Sequence, residues 1–231
     1  MSKHLDRELE RLRDDLIQQF GLVEKMISLA VRALVDRNPG LAEQVIENDF
    51  IVDENDLRIE EECLKLLALH HPVATDMRWL ITVVKVNGAL ERMADLACNI
   101  AERAKAIDLF PLFPVPDEVS DMVISTTSMV KLALDAFVER DSGKAKTAIQ
   151  SDEMIDQLNR IVIDQLQEIM KHDSTMVEPA VHCFSASRHL ERIADLAENI
   201  SEDVIYLVDG DIVRHKHELF LGTSSESSVV E

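Results

Sequence analysis

The chain is written twice. Residues 90–102 read LERMADLACNIAE and residues 190–202 read LERIADLAENISE, an offset of 100. Upstream, LAVRALVDRNPGLAEQVIENDFIVD (29–53) aligns with LALDAFVERDSGKAKTAIQSDEMID (132–156) at an offset of 103. The second block pairs Leu29 with Leu132, Ala33 with Ala136, Arg37 with Arg140, Gly40 with Gly143, Ile46 with Ile149, Asp49 with Asp152 and Asp53 with Asp156. Two matched blocks in the same order are what an internal duplication leaves behind. The fold must therefore be assembled from two like units.

Each unit carries helical periodicity. Leu9, Leu12, Leu16, Phe20, Val23 and Ile27 recur at spacings of three and four, which predicts a helix over roughly 5–36. Asn38-Pro39-Gly40 breaks it, and a second helix follows over roughly 40–69. The His71-Pro72 step ends that helix, because a residue before proline avoids the α region. A third runs over roughly 73–108. The second set is expected over 117–140, 143–172 and 176–208, with Asp117 as an N-cap and Asp141-Ser142-Gly143 as a turn.

The expected fold is all-α: two tandem antiparallel three-helix bundles. The first repeat is placed at 1–110, a proline-rich bridge at 111–116 and the second repeat at 117–210. A tail follows at 211–231. It carries a short basic cluster, Arg214-His215-Lys216-His217, and ends in a Ser/Glu-rich stretch expected to be disordered. Composition agrees with helices. Aromatics are only 4% against 46% hydrophobic residues, so Leu, Ile, Val, Ala and Met must fill the core. Six Gly and six Pro are too few for the regular turns of a sheet-rich chain.

Charge narrows the partners. A formal net charge of -20 argues against nucleic acid, whose phosphates demand basic patches, and against adhesion to anionic lipid. It suits cations or basic protein surfaces. No apolar run reaches the ~20 residues that span a bilayer, and the charged start MSKHLDRE does not read as a signal peptide. Cys63, Cys98 and Cys183 form no CxxC pair and are expected to be reduced thiols of a cytoplasmic protein.

The repeated motifs hold the chemistry. Glu191, Asp195, Glu198 and Glu202 are spaced 4, 3 and 4, which places them on one stripe of a helix, expected to border solvent. The first-copy equivalent is Glu91, Asp95, Cys98 and Glu102. The second helix adds Asp49, Asp53, Asp56 and Glu60, duplicated as Asp152, Asp156 and Asn159. Like charges at i, i+4 repel, and a bound cation would convert that repulsion into coordination. Carboxylates alone suit hard or borderline ions such as Mg, Mn, Ca or Fe. A solvated acidic face is the competing reading.

These motifs, with Pro72-Val73-Ala74-Thr75-Asp76-Met77-Arg78 upstream, resemble the PhoU family over roughly residues 5–218. The resemblance implies two three-helix repeats with metal clusters on [Glu/Asp]-x-x-x-Asp motifs. By position the implied ligands are Asp49, Asp53, Glu91 and Asp95, then Asp152, Asp156, Glu191, Asp195 and Glu198. The implied ions are divalent or trivalent: Mg, Mn, Fe or Zn. Cys98 stands where the second copy has Glu198, so the two sites need not be equivalent. The second copy also lacks the Pro-Val-Ala-x-Asp-Met-Arg stretch. The resemblance further implies a homodimeric, cytoplasmic negative regulator of the phosphate-starvation response and of phosphate uptake. It would bind the phosphate transporter's ATPase subunit and a sensor histidine kinase.

The rivals are a carboxylate-bound metal hydrolase or oxidase and a metal-buffering scaffold. A ferritin-like oxidase needs Glu-x-x-His pairs, and no histidine here has Glu three positions before it. No phosphate-binding glycine loop and no G-x-S-x-G is present. The expectation is therefore a protein that is not an enzyme. His70, His71 and His172 sit at ends of second helices, where a cation favours the dipole. Trp79 is expected to anchor the third helix in the core.

Overall fold

The structure is a computed structural model that describes residues 3–70, 72–211 and 213. The basic cluster, the terminal stretch and His71, on which expectations were placed above, lie outside the described residues. The described residues form six long helices: α1 (Lys3–Val35), α2 (Pro39–His70), α3 (Ala74–Asp108), α4 (Asp117–Glu139), α5 (Ser142–His172) and α6 (Val177–Asp209). A 3₁₀ turn, Ser174–Met176, precedes α6 and was not anticipated. Among the described residues there is no strand.

The turns show why the helices stop where they do. Pro39 opens α2, a first-turn position where its missing N–H costs nothing. Asp141 caps α5, its side chain accepting from the backbone N–H of Gly143 (2.8 Å) and Lys144 (3.1 Å). Asp117 corrects an expectation. It is the first residue of α4, Pro116 holds the cap position, and no side-chain cap bond forms there. The preceding proline already fixes the extended entry, and Asp117 instead meets the positive end of the helix from within its first turn.

The duplicated pair Arg37 and Arg140 ends α1 and α4 in the left-handed region, with φ of 50° and 54°. Wrap-around bonds from Asn38 to the Ala33 carbonyl (3.0 Å) and from Asp141 to the Ala136 carbonyl (2.9 Å) complete both ends. A non-glycine residue there is strained by about 1 kcal/mol. Arg37 recovers that cost, because its guanidinium donates to the carbonyls of Phe110 (3.0 Å) and Phe113 in the proline-rich bridge.

The predicted core stripe of α1 is buried at Leu12, Leu16, Phe20, Val23 and Ile27, with Leu9 partly covered. Trp79 is buried as expected. α1, α2 and α3 pack together, as do α4, α5 and α6, and α3 also packs along α6. The α3–α6 pairing is antiparallel. Lys85 meets Asp203 (2.9 Å) near one end, Arg103 meets His182 (3.4 Å) near the other, and the two LER-x-ADLA segments cross between. Phe20 of α1 and Phe137 of α4 add an edge-to-face contact at 5.8 Å.

Candidate functional site

In each repeat the second and third helices lie side by side, so their carboxylate stripes meet across one seam. α2 and α3 bring Asp49, Asp53 and Asp56 into the field of Glu91 and Asp95. α5 and α6 bring Asp152 and Asp156 into the field of Glu191, Asp195 and Glu198. The nine carboxylates implied as ligands therefore fall in two clusters, one per repeat.

The stripes are less exposed than their spacing suggests. Asp53, Asp95 and Asp195 open to solvent, while Asp49, Glu91, Asp152, Asp156, Glu191 and Glu198 are half-buried. Glu202, expected on the same solvent-bordering stripe, is buried and lines a cleft between α3 and α6 that Glu198 also borders. Helical spacing puts it in line with Glu198, but α3 covers that end of α6.

Crowding shows in proton affinity. Burial, then Glu198, Asp156, Asp195 and Glu191, pushes Asp152 up to about 7. Burial is also the first cause raising Glu191 and Asp195; Asp195 and Asp156 reinforce it, and Arg188 opposes it in both. In the first repeat, burial raises Asp49, with Asp53 and Asp95 adding to it and a hydrogen bond with Cys98 opposing. Glu91 rises through burial and the charges of Asp95, Asp56 and Asp53.

The clusters differ in their neighbours. Arg188 pairs with Glu191 (2.9 Å) and Arg160 with Asp156 (3.4 Å). The matching positions in the first repeat are Gly88 and Leu57, which offer no cation. There, Asn87 donates to both the carbonyl (3.0 Å) and the carboxylate (2.6 Å) of Asp56. Cys98 is a thiol whose pKa is pushed up to about 12 by burial first and then by Asp49, Asp95 and Glu102, and its Sγ lies 3.8 Å from the Val45 carbonyl. In the metal-free protein it adds no negative charge where the second copy has Glu198.

Arg188 and Arg160 were legible as i, i+3 and i, i+4 partners but were not singled out. Asn87 carried no signal, since its role depends on where α2 lies.

The donor set fits a hard cation. It is almost wholly carboxylate, and one buried oxygen in each cluster, Oδ1 of Asp49 and Oε2 of Glu191, has no hydrogen-bond partner. Among the described residues, no three His, Cys, Asp or Glu side chains converge on a common point at ligand distance. The carboxylates are gathered without forming a closed coordination shell.

A family model described as "PhoU domain" matches twice, over residues 16–104 and 119–204. A phosphate-specific transport system accessory protein PhoU homolog from Pseudomonas aeruginosa is 38% identical over 218 residues, covering 93% of this chain and 89% of the relative. Phosphate-specific transport system accessory protein PhoU homolog 1 from Thermotoga maritima is 32% identical over 225 residues, covering 97% of this chain and 96% of the relative. The crystal structure of PhoU from Pseudomonas aeruginosa superposes with a TM-score of 0.85 at 37% identity, covering 89% of this chain and 99% of that one. That of the phosphate transport system regulatory protein PhoU from Streptococcus pneumoniae gives 0.84 at 30% identity, covering 90% and 99%.

Proposed function

This chain belongs to the PhoU family, and on that premise we propose that it is a regulatory accessory protein of phosphate-specific transport, not an enzyme. It restrains phosphate uptake and the phosphate-starvation response. It does so by binding two proteins, the transporter's ATPase subunit and a sensor histidine kinase. The observation that carries the reading is the match of both repeats, over nearly the whole length, to proteins described as accessory to that transport system.

The physical properties are compatible with it. A net charge of -20 steers basic partner surfaces, and helices of more than 30 residues give long rigid faces. No helix among the described residues is long and apolar enough to cross a membrane. We infer that it acts in the cytoplasm, on partners there, and as a homodimer.

We assign metal binding to the two carboxylate clusters. Asp49, Asp53, Glu91 and Asp95 hold ions in the first repeat, and Asp152, Asp156, Glu191, Asp195 and Glu198 in the second. The ions are divalent or trivalent, Mg, Mn, Fe or Zn. Such an ion supplies positive charge among mutually repelling carboxylates. The chain's own groups set the difference between sites: Arg188 and Arg160 already neutralise part of the second cluster, and Cys98 puts a thiol where the second has the Glu198 carboxylate.

The test is a deletion strain carrying a reporter of a phosphate-starvation promoter, combined with pull-downs of the purified kinase and ATPase subunit. Repression should be lost in phosphate-rich medium and restored by the wild-type chain. The pull-downs are repeated with Glu191→Ala/Asp195→Ala and with chelator-treated protein, alongside elemental analysis. A deletion strain that still represses, with neither partner retained at any phosphate level, rejects the reading.

A further inference from the structure

The outward face of α2 is apolar along a line and acidic on both sides. Phe50, Leu57 and Leu64 are spaced by seven and are 66%, 62% and 57% exposed. Seven residues on an α-helix return to nearly the same angle, so the three side chains form one seam. It lies well away from the buried line of Val45, Val52, Ile59 and Leu66 that faces the bundle. Large apolar side chains left in a row on a helix surface mark contact surfaces.

The duplication supplies an internal control. At the same positions of α5, by the offset of 103, stand Glu153, Arg160 and Gln167. One scaffold, built twice, keeps the seam polar in one copy and apolar in the other. Folding of the bundle therefore does not require an apolar residue there.

Charge identifies the occupant. Glu47, Glu54 and Glu61 run along one side of the seam at the same spacing, and Asp53 and Glu60 along the other, all exposed. Nearby cations are engaged elsewhere: Arg58 with Asp15 (3.4 Å) and Lys65 with Glu62 (3.0 Å). A second copy of α2 laid on this face would set carboxylate against carboxylate, the like-charge flanking that excludes self-pairing of helices. A partner helix with an apolar seam flanked by Lys or Arg satisfies both features.

We propose that this face of α2 docks a basic amphipathic helix of a partner protein. The proposal rests on the reading of the chain as a binding regulator, and it names the surface and the chemistry of what binds. The first repeat recognises the partner, and the second, lacking the seam, does not.

The test uses the full chain, wild type and Phe50→Ser/Leu57→Ser/Leu64→Ser, with Glu153→Ser/Gln167→Ser as the duplicate-helix control. Each is titrated with the purified kinase cytoplasmic region, with the ATPase subunit, and with two synthetic helical peptides. One peptide has a leucine seam flanked by lysine and the other replaces lysine with glutamate. Circular dichroism and melting temperature confirm that the variants fold.

The wild type should bind the lysine peptide at least about tenfold more tightly than the glutamate peptide, and more weakly at high salt. The seam variant should lose about tenfold or more toward that peptide and toward one of the two proteins, while the control does not. Equal binding of the proteins by wild type and seam variant overturns this surface while leaving the regulatory reading intact. If neither protein binds the wild type, the regulatory reading fails, and the peptide pair alone then decides the surface. A wild-type dimer that the seam variant converts to monomer, seen by sedimentation, overturns the proposal in favour of self-association.

Discussion

Asp152 carries the clearest residue-scale consequence. Its folded pKa, about 7, stands above the ordinary 3.8. The folded state thus holds a proton that the unfolded chain releases, and the metal-free protein loses stability as pH rises from about 4 through about 7. A shift of that size is nominally ~4 kcal/mol, and solvent screening of a half-exposed group reduces it to about 1–2 kcal/mol. Chelator-treated Asp152→Asn should therefore be more stable than wild type by about 1–2 kcal/mol at pH 8, with the difference vanishing near pH 4. Urea denaturation at the two pH values measures this, and identical curves at pH 8 would remove the crowding from the site. The thiols make a second case. Cys63, Cys98 and Cys183 are all pushed to about 12, with burial the largest cause. Native protein at pH 8 should react with iodoacetamide at least about a hundredfold more slowly than urea-unfolded protein. Mass spectrometry reads the labelling, and fast modification of native Cys98 would contradict its placement against the Val45 carbonyl.

Two changes within elements follow from local geometry. Gly88 lies inside α3 beside the α3–α6 cleft, and a Cβ built there meets nothing within 4 Å. Gly88→Ala should stabilise the protein by about 0.5–1 kcal/mol, from helix propensity alone. A loss of stability in urea titration would mean that another group occupies that space. At the paired helix ends the two arginines part company. Arg140→Gly relieves left-handed strain and should gain about 0.5–1 kcal/mol. Arg37→Gly relieves the same strain but abandons the bridge carbonyls of Phe110 and Phe113, so it should show no gain or a net loss. Equal gains at both ends would show that the clamp on the bridge contributes nothing.

At the scale of the molecule, α3 and α6 bind the repeats into one body. Ala89 and Leu96 of α3 are buried and lie against the α6 cleft. Thermal unfolding should be a single transition with matching calorimetric and van't Hoff enthalpies. Residues 1–110 expressed alone would expose that face of α3, so the fragment should self-associate or melt without cooperativity. Calorimetry and sedimentation decide between these, and a monomeric fragment with a sharp transition would make the repeats independent units.

The duplication, the six helices and the grouping of carboxylates by repeat were legible from residue order. Repeats, periodicity and helix breakers are local, and i, i+3 and i, i+4 neighbours share a face whatever surrounds the helix. What surrounds it was not local. Glu198 and Glu202 look alike along the helix, yet α3 covers one and leaves the other half open. Asn87 gained a role only when α2 placed Asp56 beside it. Phe50, Leu57 and Leu64 became conspicuous only when the packed bundle left them uncovered. Burial, charge crowding and exposure are properties of pairs of elements, so they came into being only when the helices met.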